Sequence, residues 1–450
     1  MKISSVIFLT SSLKNNNRSI IHKEITKFVN KVFVPQRNYS DKMSSKLVAR
    51  DDGRHYSNPY LNLSPDNDKN IVDSGNNDIH ADFNNLLKDN IHKLMDHLDK
   101  HKTGWLTRDD TSIYTGNSGI AYMYYLYGKQ FNDESYITKA LELIKIRSKS
   151  TSRRDITFLT GEAGRLSLGA VIYHITNNKA ESLEMISKLQ AMLDEAVMST
   201  YDELLYGRVG YLYALLFVNK NISPTTIDRE IIKKTINCIL ISGKKYAKER
   251  KKTTPLMYSW HDTEYLGGAH GLAGILYILL QAREYLTEEQ LKNEIQPALE
   301  YLLSLRYPSG NFPSSVGSKT DKLVHWCHGA PSMTMLYILA SEVFNNEKYL
   351  DVAKECGEVI WHRGLLIKGC GICHGVSGNA YSFLCLYQKT KDIMYLWRAC
   401  KFAAWCFDYE SNQCRSPDRP YSLFEGLAGI IYYLIDLTKP SFAKFPGYTL

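Results

Sequence analysis

Two short stretches of this chain carry residue types that bind soft metals. Cys327 lies in His325-Trp326-Cys327-His328-Gly329 and Cys373 in Gly371-Ile372-Cys373-His374-Gly375, each thiol two residues ahead of a glycine. Zinc favours thiolate and imidazole ligands, and a catalytic zinc keeps three protein ligands with one position open. Cys327, Cys373 and His374 offer such a set, for one Zn2+ per chain. His328 and His270 hold the same pre-glycine place in two similar stretches, which makes them candidates for acid–base work or for supporting the ligands. The plainer reading is a pair of buried thiols with capping histidines. Cys370-x-x-Cys373 has a redox spacing, yet no thioredoxin-like βαβ pattern surrounds it. The nine cysteines are odd in number and scattered, unlike a disulfide framework. Cys238, Cys356, Cys385, Cys400 and Cys406 fall on apolar helical stripes, as inert core residues do.

The elements that must position these residues are repeated. Gly-x-x-Gly, or a close variant, begins at Gly116, Gly161, Gly207, Gly271, Gly329, Gly375 and Gly426, with Ser332 replacing the second glycine of the fifth copy. Such a period marks a repeat architecture, and special residues clustered in adjacent copies build one site. Each copy is followed by a run that is apolar nearly all round, such as Ile-Leu-Tyr-Ile-Leu-Leu after Gly274, as buried helices are. Between these runs lie one-faced stretches. Leu183, Ile186, Leu189, Leu193 and Val197 recur at three- and four-residue steps, and similar patterns cover 286–305, 344–361 and 392–407. One buried and one half-buried helix per repeat, seven times, predicts an all-α fold: an α/α toroid, or double α-barrel, with inner and outer helix rings. The glycine loops gather at one end of the inner ring, where close backbone approach and positive φ carry no Cβ penalty.

Composition fits a large helical body. A 44% hydrophobic content over 450 residues supplies an ample core, and no apolar run reaches the roughly 18–20 residues that span a bilayer. No Pro/Gly/Ser-rich linker interrupts the repeats, so one domain is expected over 54–450. The net charge of +8 resides entirely in residues 1–50, which hold ten Lys/Arg against Glu24 and Asp41. The remainder is neutral, which argues against a nucleic-acid footprint. The basic extension, 1–53, reads equally as a mitochondrial transit peptide, as an unstructured tail, or as sequence upstream of a start at Met43. The compartment expected is the cytoplasm, or the mitochondrion if the extension is a transit peptide.

The motifs together resemble one family. Tyr206-Gly207-Arg208, Gly268-Ala269-His270-Gly271-Leu272-Ala273-Gly274, Trp326-Cys327-His328-Gly329-Ala330-Pro331, Cys373-His374-Gly375 and Ser422-Leu423-Phe424-Glu425-Gly426 stand in order as in the eukaryotic LanC-like proteins, relatives of the bacterial lanthipeptide cyclases. The resemblance covers about residues 54–450. It implies a seven-repeat double α-barrel with zinc on Cys327, Cys373 and His374, and glutathione bound through Lys368 and the Arg415-Ser416-Pro417-Asp418 stretch, with Arg54 as a further basic contact. Cys370 is outside the implied ligand set. The implied reaction adds the glutathione thiol to dehydroalanine or dehydrobutyrine residues of damaged proteins or peptides. A zinc-bound thiol ionises at neutral pH, and His270, or failing it His328, returns a proton to the enolate left by the attack.

Three functions compete on these residues. The first is the glutathione transferase just described. The second is a non-catalytic zinc- and glutathione-binding adaptor with signalling-protein partners, which would have no use for His270 as a proton donor. The third is a different toroid enzyme, a glycosidase or prenyl transferase. A glycosidase needs paired carboxylates, whereas the loops offer Glu162 and Glu425, which are not neighbours. Tyr206 and Arg208 receive no role.

Overall fold

The computed structural model describes residues 53–450 except 108, 148–155, 411 and 413. The basic extension, with its targeting and Met43-start readings, therefore lies outside the described residues save for Gly53. Among the described residues, fourteen helices of nine residues or more alternate between two rings. The inner ring consists of α2 (Asn117–Phe131), α4 (Glu162–Ile175), α6 (Arg208–Asn221), α8 (Leu272–Gln281), α10 (Ala330–Val343), α12 (Val376–Thr390) and α14 (Leu427–Leu437). These follow the seven glycine motifs and are buried almost throughout, as their unbroken apolar runs require. Each touches the next, and α14 touches α2, so the ring closes.

The outer ring is α1 (Ala81–Lys100), α3 (Glu134–Lys145), α5 (Lys179–Ala191), α7 (Arg229–Glu249), α9 (Gln296–Ser304), α11 (Glu347–Arg363) and α13 (Ile393–Phe407). Chain order is offset by half a repeat. Among the described residues no α-helix follows α14, and α1, from before the first glycine motif, packs against it with Phe83, Leu87, Ile91, Leu94 and Leu98 buried along one stripe. The one-faced stretch at 286–305 is not a single helix. A short turn at Glu288–Gln290 and a widened π turn at Leu291–Ile295 precede α9. Pro297, which has no amide proton to donate, lies just past that widened turn. A two-residue hairpin, β1 (Val72–Asp73) with β2 (Asp78–Ile79), adds minor strand content outside the rings.

The glycines serve close approach far more than unusual dihedrals. Six of the seven motif glycines are extended N-caps with φ between −101° and −137°; only Gly329 has positive φ, at +105°. The second glycine of a motif instead lies against the carbonyl of the residue six earlier: Gly119 on Ile113, Gly164 on Phe158, Gly210 on Leu204, Gly274 on Gly268, Gly378 on Ile372 and Gly429 on Leu423. A Cβ would overlap that oxygen. In the fifth copy, where Ser332 takes the second place, Gly329 itself meets the carbonyl six back, that of Leu323.

The lumen of the inner ring is filled by the segment 443–450. Phe445 and Tyr448 are fully buried, and both rings meet Trp326, at 5.0 and 5.3 Å. Hydrogen bonds tie the segment to three inner helices: Tyr213 Oη donates to Thr449 O (3.2 Å), the Leu450 amide donates to Gln281 Oε1 (2.7 Å), and Gln388 Nε2 donates to Ala443 O (2.9 Å). Because Trp326 precedes Cys327, this segment supports the thiol loops from within. Tyr448→Ala should therefore lower stability by about 3–5 kcal/mol, the cost of truncating a buried aromatic. Equilibrium denaturation checks this, and an unchanged midpoint would show that the lumen is not packed as described.

Candidate functional site

The seven glycine loops form a hydrogen-bonded girdle at one end of the inner ring. The Tyr114 amide donates to Leu159 O (2.8 Å), Phe158 to Gly210 O (3.1 Å), Gly268 to Trp326 O (3.3 Å), Cys327 to Cys373 O (3.3 Å), Cys373 to Phe424 O (2.8 Å) and Phe424 to Tyr114 O (3.1 Å). Six of the seven junctions are thus made by backbone. At the remaining one, between the third and fourth loops, side chains meet: His270 Nδ1 lies 3.0 Å from Glu203 Oε2.

Cys327 and Cys373 are buried on adjacent loops, with His374 beside them and partly exposed. One donor atom from each lies within 4.8 Å of the other two. Cys327 sits at the tip of a tight turn closed by reciprocal His325 and His328 backbone bonds of 3.0 Å. Burial, then the hydrogen-bonded Cys327 thiol, hold Cys373 well above the usual thiol range, while His374 pulls the other way. Two thiols held this close in a dry site do not both ionise by themselves; a dication between them reverses that preference. The donor set, two sulfurs and one imidazole, can hold a thiophilic metal ion.

Sequence reasoning left three further residues here without a role. His325 places Nδ1 3.3 Å from Cys327 Sγ. Tyr114 is hydrogen-bonded to Cys373, and burial together with that sulfur raises its phenol well above its ordinary range, so it keeps its proton. Glu203, 2% exposed in its side chain, accepts the Leu205 and Tyr206 amides (2.8 and 2.5 Å) besides facing His270. Glu203 corrects the expectation that Glu162 and Glu425 are the loop carboxylates. Its position four residues before Gly207 is a signal, although one that many solvated glutamates share. Glu162 is engaged by the buried Arg165 guanidinium.

The histidines fall into two kinds. His325 and His328 are each driven down to about 3, first by burial and then by positive neighbours: His374, Lys368 and Arg54 for His325, and His325, His270 and Lys368 for His328. Both are neutral near pH 7, so His328 has no proton to spare as an acid. His270 is different. Its ring stacks on Trp260 at 4.0 Å, Tyr206 lies parallel at 6.0 Å, and its Nδ1–H has the Glu203 carboxylate as acceptor. Tyr265 stands between the two histidines, 5.9 Å from His270 and 5.6 Å from His328. Arg208 is structural, donating to Asp202 Oδ1 (2.6 Å) and Val197 O (3.1 Å).

The residues expected to hold glutathione converge on one rim. The Ile367 amide donates to Arg54 O (3.0 Å), and the Arg415 amide donates to Ile367 O (2.9 Å), so Lys368 is flanked by Arg54 and Arg415. All three are exposed, as are Ser416 and Asp418, with Pro417 partly buried. Among the described residues, neither Lys368 nor Arg415 is in an ion pair. The influence of Lys368 and Arg54 on His325 places this positive rim beside the thiol cluster.

Comparison with known proteins agrees with this architecture. The family described as "Lanthionine synthetase C-like protein" matches residues 107–450. The chain is 44% identical over 342 residues to the zebrafish (Danio rerio) protein "Glutathione S-transferase LANCL1", covering 75% of this chain and 84% of the relative. It is 36% identical over 359 residues to "LanC-like protein GCL1" of Arabidopsis thaliana, covering 76% and 82%. Among solved structures, "Nisin cyclase" superposes with a TM-score of 0.60 over 81% of this chain and 96% of its own, at 18% identity, which shows the shared fold.

The buried histidines give a pH prediction. Their folded pKa values lie below the unfolded value of 6.5, so between about pH 6.5 and 3 the unfolded chain binds protons that the folded one refuses. Metal-free protein should lose stability as pH falls through that window, each histidine adding a slope approaching about 1.4 kcal/mol per pH unit. Denaturation of His328→Gln across the same range should show a shallower dependence. An unchanged slope would place His328 in water.

Proposed function

This chain belongs to the lanthionine synthetase C-like family, and from that premise we propose that it is a zinc-dependent transferase joining the glutathione thiol to dehydroalanine or dehydrobutyrine residues of proteins or peptides. The carrying observation is that one mouth of the toroid gathers a Cys2His donor set, a carboxylate-held histidine and an exposed positive rim. The family relationship and the name of the Danio rerio relative, a glutathione S-transferase, support glutathione as the donor.

Cys327, Cys373 and His374 would hold the zinc, which when bound lowers the pKa of a thiol in its open position. The residues of the chain do the rest. Lys368, Arg415 and Arg54 pair with the two glutathione carboxylates and aim the tripeptide inward, with Ser416, Pro417 and Asp418 shaping the same rim. Attack of the sulfur on the β-carbon forms the C–S bond and leaves negative charge on the α-carbon and its carbonyl. The proton that the thiol loses on ionising passes to His270, which then delivers it to the α-carbon. Glu203 accepts its Nδ1–H, which fixes the tautomer, steadies the imidazolium and leaves Nε2 as the atom that carries the proton. Trp260 fixes the plane of the ring. A purely binding adaptor has no need of a histidine oriented in this way, and the His270–Glu203 pair therefore favours the enzyme.

Purified protein should contain one zinc per chain by elemental analysis, and Cys327→Ala or Cys373→Ala should lose it; full occupancy in both would refute the ligand assignment. Lys368→Ala and Arg415→Ala should each weaken glutathione binding by about 1.5–3 kcal/mol in calorimetry, and unchanged affinity would remove the rim from the donor site. The decisive experiment mixes zinc-loaded protein, glutathione and a dehydroalanine peptide, reading the thioether adduct by mass. His270→Ala should keep zinc and glutathione yet lose roughly 10²–10⁴-fold in turnover. If the wild type binds both and accelerates nothing, the adaptor is the better description.

A further inference from the structure

A second group of thiols lies outside the metal cluster. Cys370 is buried at the start of the sixth loop, where the neighbouring Cys406 and Cys414 thiols, together with burial, hold its own thiol well above the usual range. Cys406 is on α13, wholly buried, its sulfur 3.6 Å from Ser377 Oγ. Cys414 is half-buried, its sulfur 3.9 Å from Leu366 O, and it directly precedes Arg415, whose amide bonds to Ile367. Cys370 and Cys414 therefore belong to the two adjoining segments that carry Lys368 and Arg415. These contacts bring together a partly accessible thiol, a buried neighbour that can resolve it, and a rim whose cations attract an anionic oxidant.

We propose that Cys370 and Cys414 form a reversible disulfide when a small-molecule disulfide, such as glutathione disulfide, reaches the rim. The Cys414 thiolate attacks one sulfur of the oxidant; that S–S bond breaks, and the first small thiolate leaves and takes a proton from water. Cys370 attacks the Cys414 sulfur of the mixed disulfide, the S–S bond to the second small thiolate breaks, and the Cys370 proton passes to that thiolate as it leaves. Two protein thiols lose two electrons, and the oxidant is reduced to two thiols. Cys414 is the first to react because it is the more exposed, and its thiol pKa is lowered by the neighbouring Cys370, whose own is raised. The product staples the Lys368 segment to the Arg415 segment. Cys406, sealed on its helix, stays reduced.

The inference needs neither turnover nor a dehydroamino-acid substrate, so it stands or falls separately from the transferase reading. Full-length zinc-loaded protein is incubated with glutathione disulfide, the remaining free thiols are alkylated in denaturant, and peptides are mapped without reduction. The expected result is a Cys370–Cys414 cross-linked pair that dithiothreitol reverses. Cys370→Ser should accumulate a glutathione mixed disulfide on Cys414, whereas Cys414→Ser should leave Cys370 and Cys406 alkylated. Circular dichroism confirms that both variants are folded. The proposal is overturned if Cys370 and Cys414 are both alkylated after other thiols of the chain have reacted, if the cross-link joins Cys370 to Cys406, or if Cys327–Cys373 is the product.

Discussion

The organisation of this toroid rests on the approach of a glycine to a carbonyl oxygen six residues earlier, repeated around one end of the ring. That contact folds each loop back over the start of its inner helix and leaves backbone groups pointing sideways toward the next loop. Six junctions then close by backbone hydrogen bonds. Because backbone bonds are insensitive to side-chain identity, individual loops are free to carry unusual residues without loosening the girdle. The Cys327 and Cys373 thiols depend on this directly. The same strand-like contact that donates Cys327 N–H to Cys373 O brings their sulfurs together, and the lumen segment pressing on Trp326 fixes the turn at whose tip Cys327 stands.

The seventh junction is the exception, and it is where the proposed proton donor lies. A carboxylate already accepting two backbone amides has limited freedom to move, so Glu203 is a fixed acceptor and His270 a fixed donor. The parallel Trp260 and Tyr206 rings hold the imidazole plane. This junction alone of the seven is made by an ionisable side-chain pair and not by backbone groups. Its presence at the mouth is better understood through chemistry than through stability.

Charge is sorted by depth across the same mouth. Histidines beneath the surface are kept neutral by burial and by positive neighbours, which leaves them as neutral donors or acceptors around the sulfurs. The lasting positive charge stands outside, on Lys368, Arg415 and Arg54. An anionic thiol compound would meet cations first and the sulfur-rich interior second. The two thiol clusters differ in the same way: Cys327 and Cys373 have an imidazole beside them and suit a cation, whereas Cys370, Cys406 and Cys414 have mainly one another and suit oxidation.

The seven inner helices were legible in the sequence, because an all-round apolar run after a glycine motif admits few other environments, and so was the pairing of Cys327, Cys373 and His374, because equivalent places in adjacent repeats must be neighbours. The rest depended on contacts between distant parts of the chain. That α1 covers α14, that Phe445 and Tyr448 fill the lumen, and that Gly329 alone among the seven motif glycines takes a positive φ follow from ring closure, which local periodicity does not encode. Glu203 was invisible for a related reason: a glutamate in a polar loop looks like any solvated charge until the fold buries it against a histidine 67 residues away. Cys414 likewise reads as a stray thiol in sequence. Only the pairing of its segment with that of Lys368 brings it to Cys370, since sulfur–sulfur contact requires a proximity that spacing along a chain cannot convey.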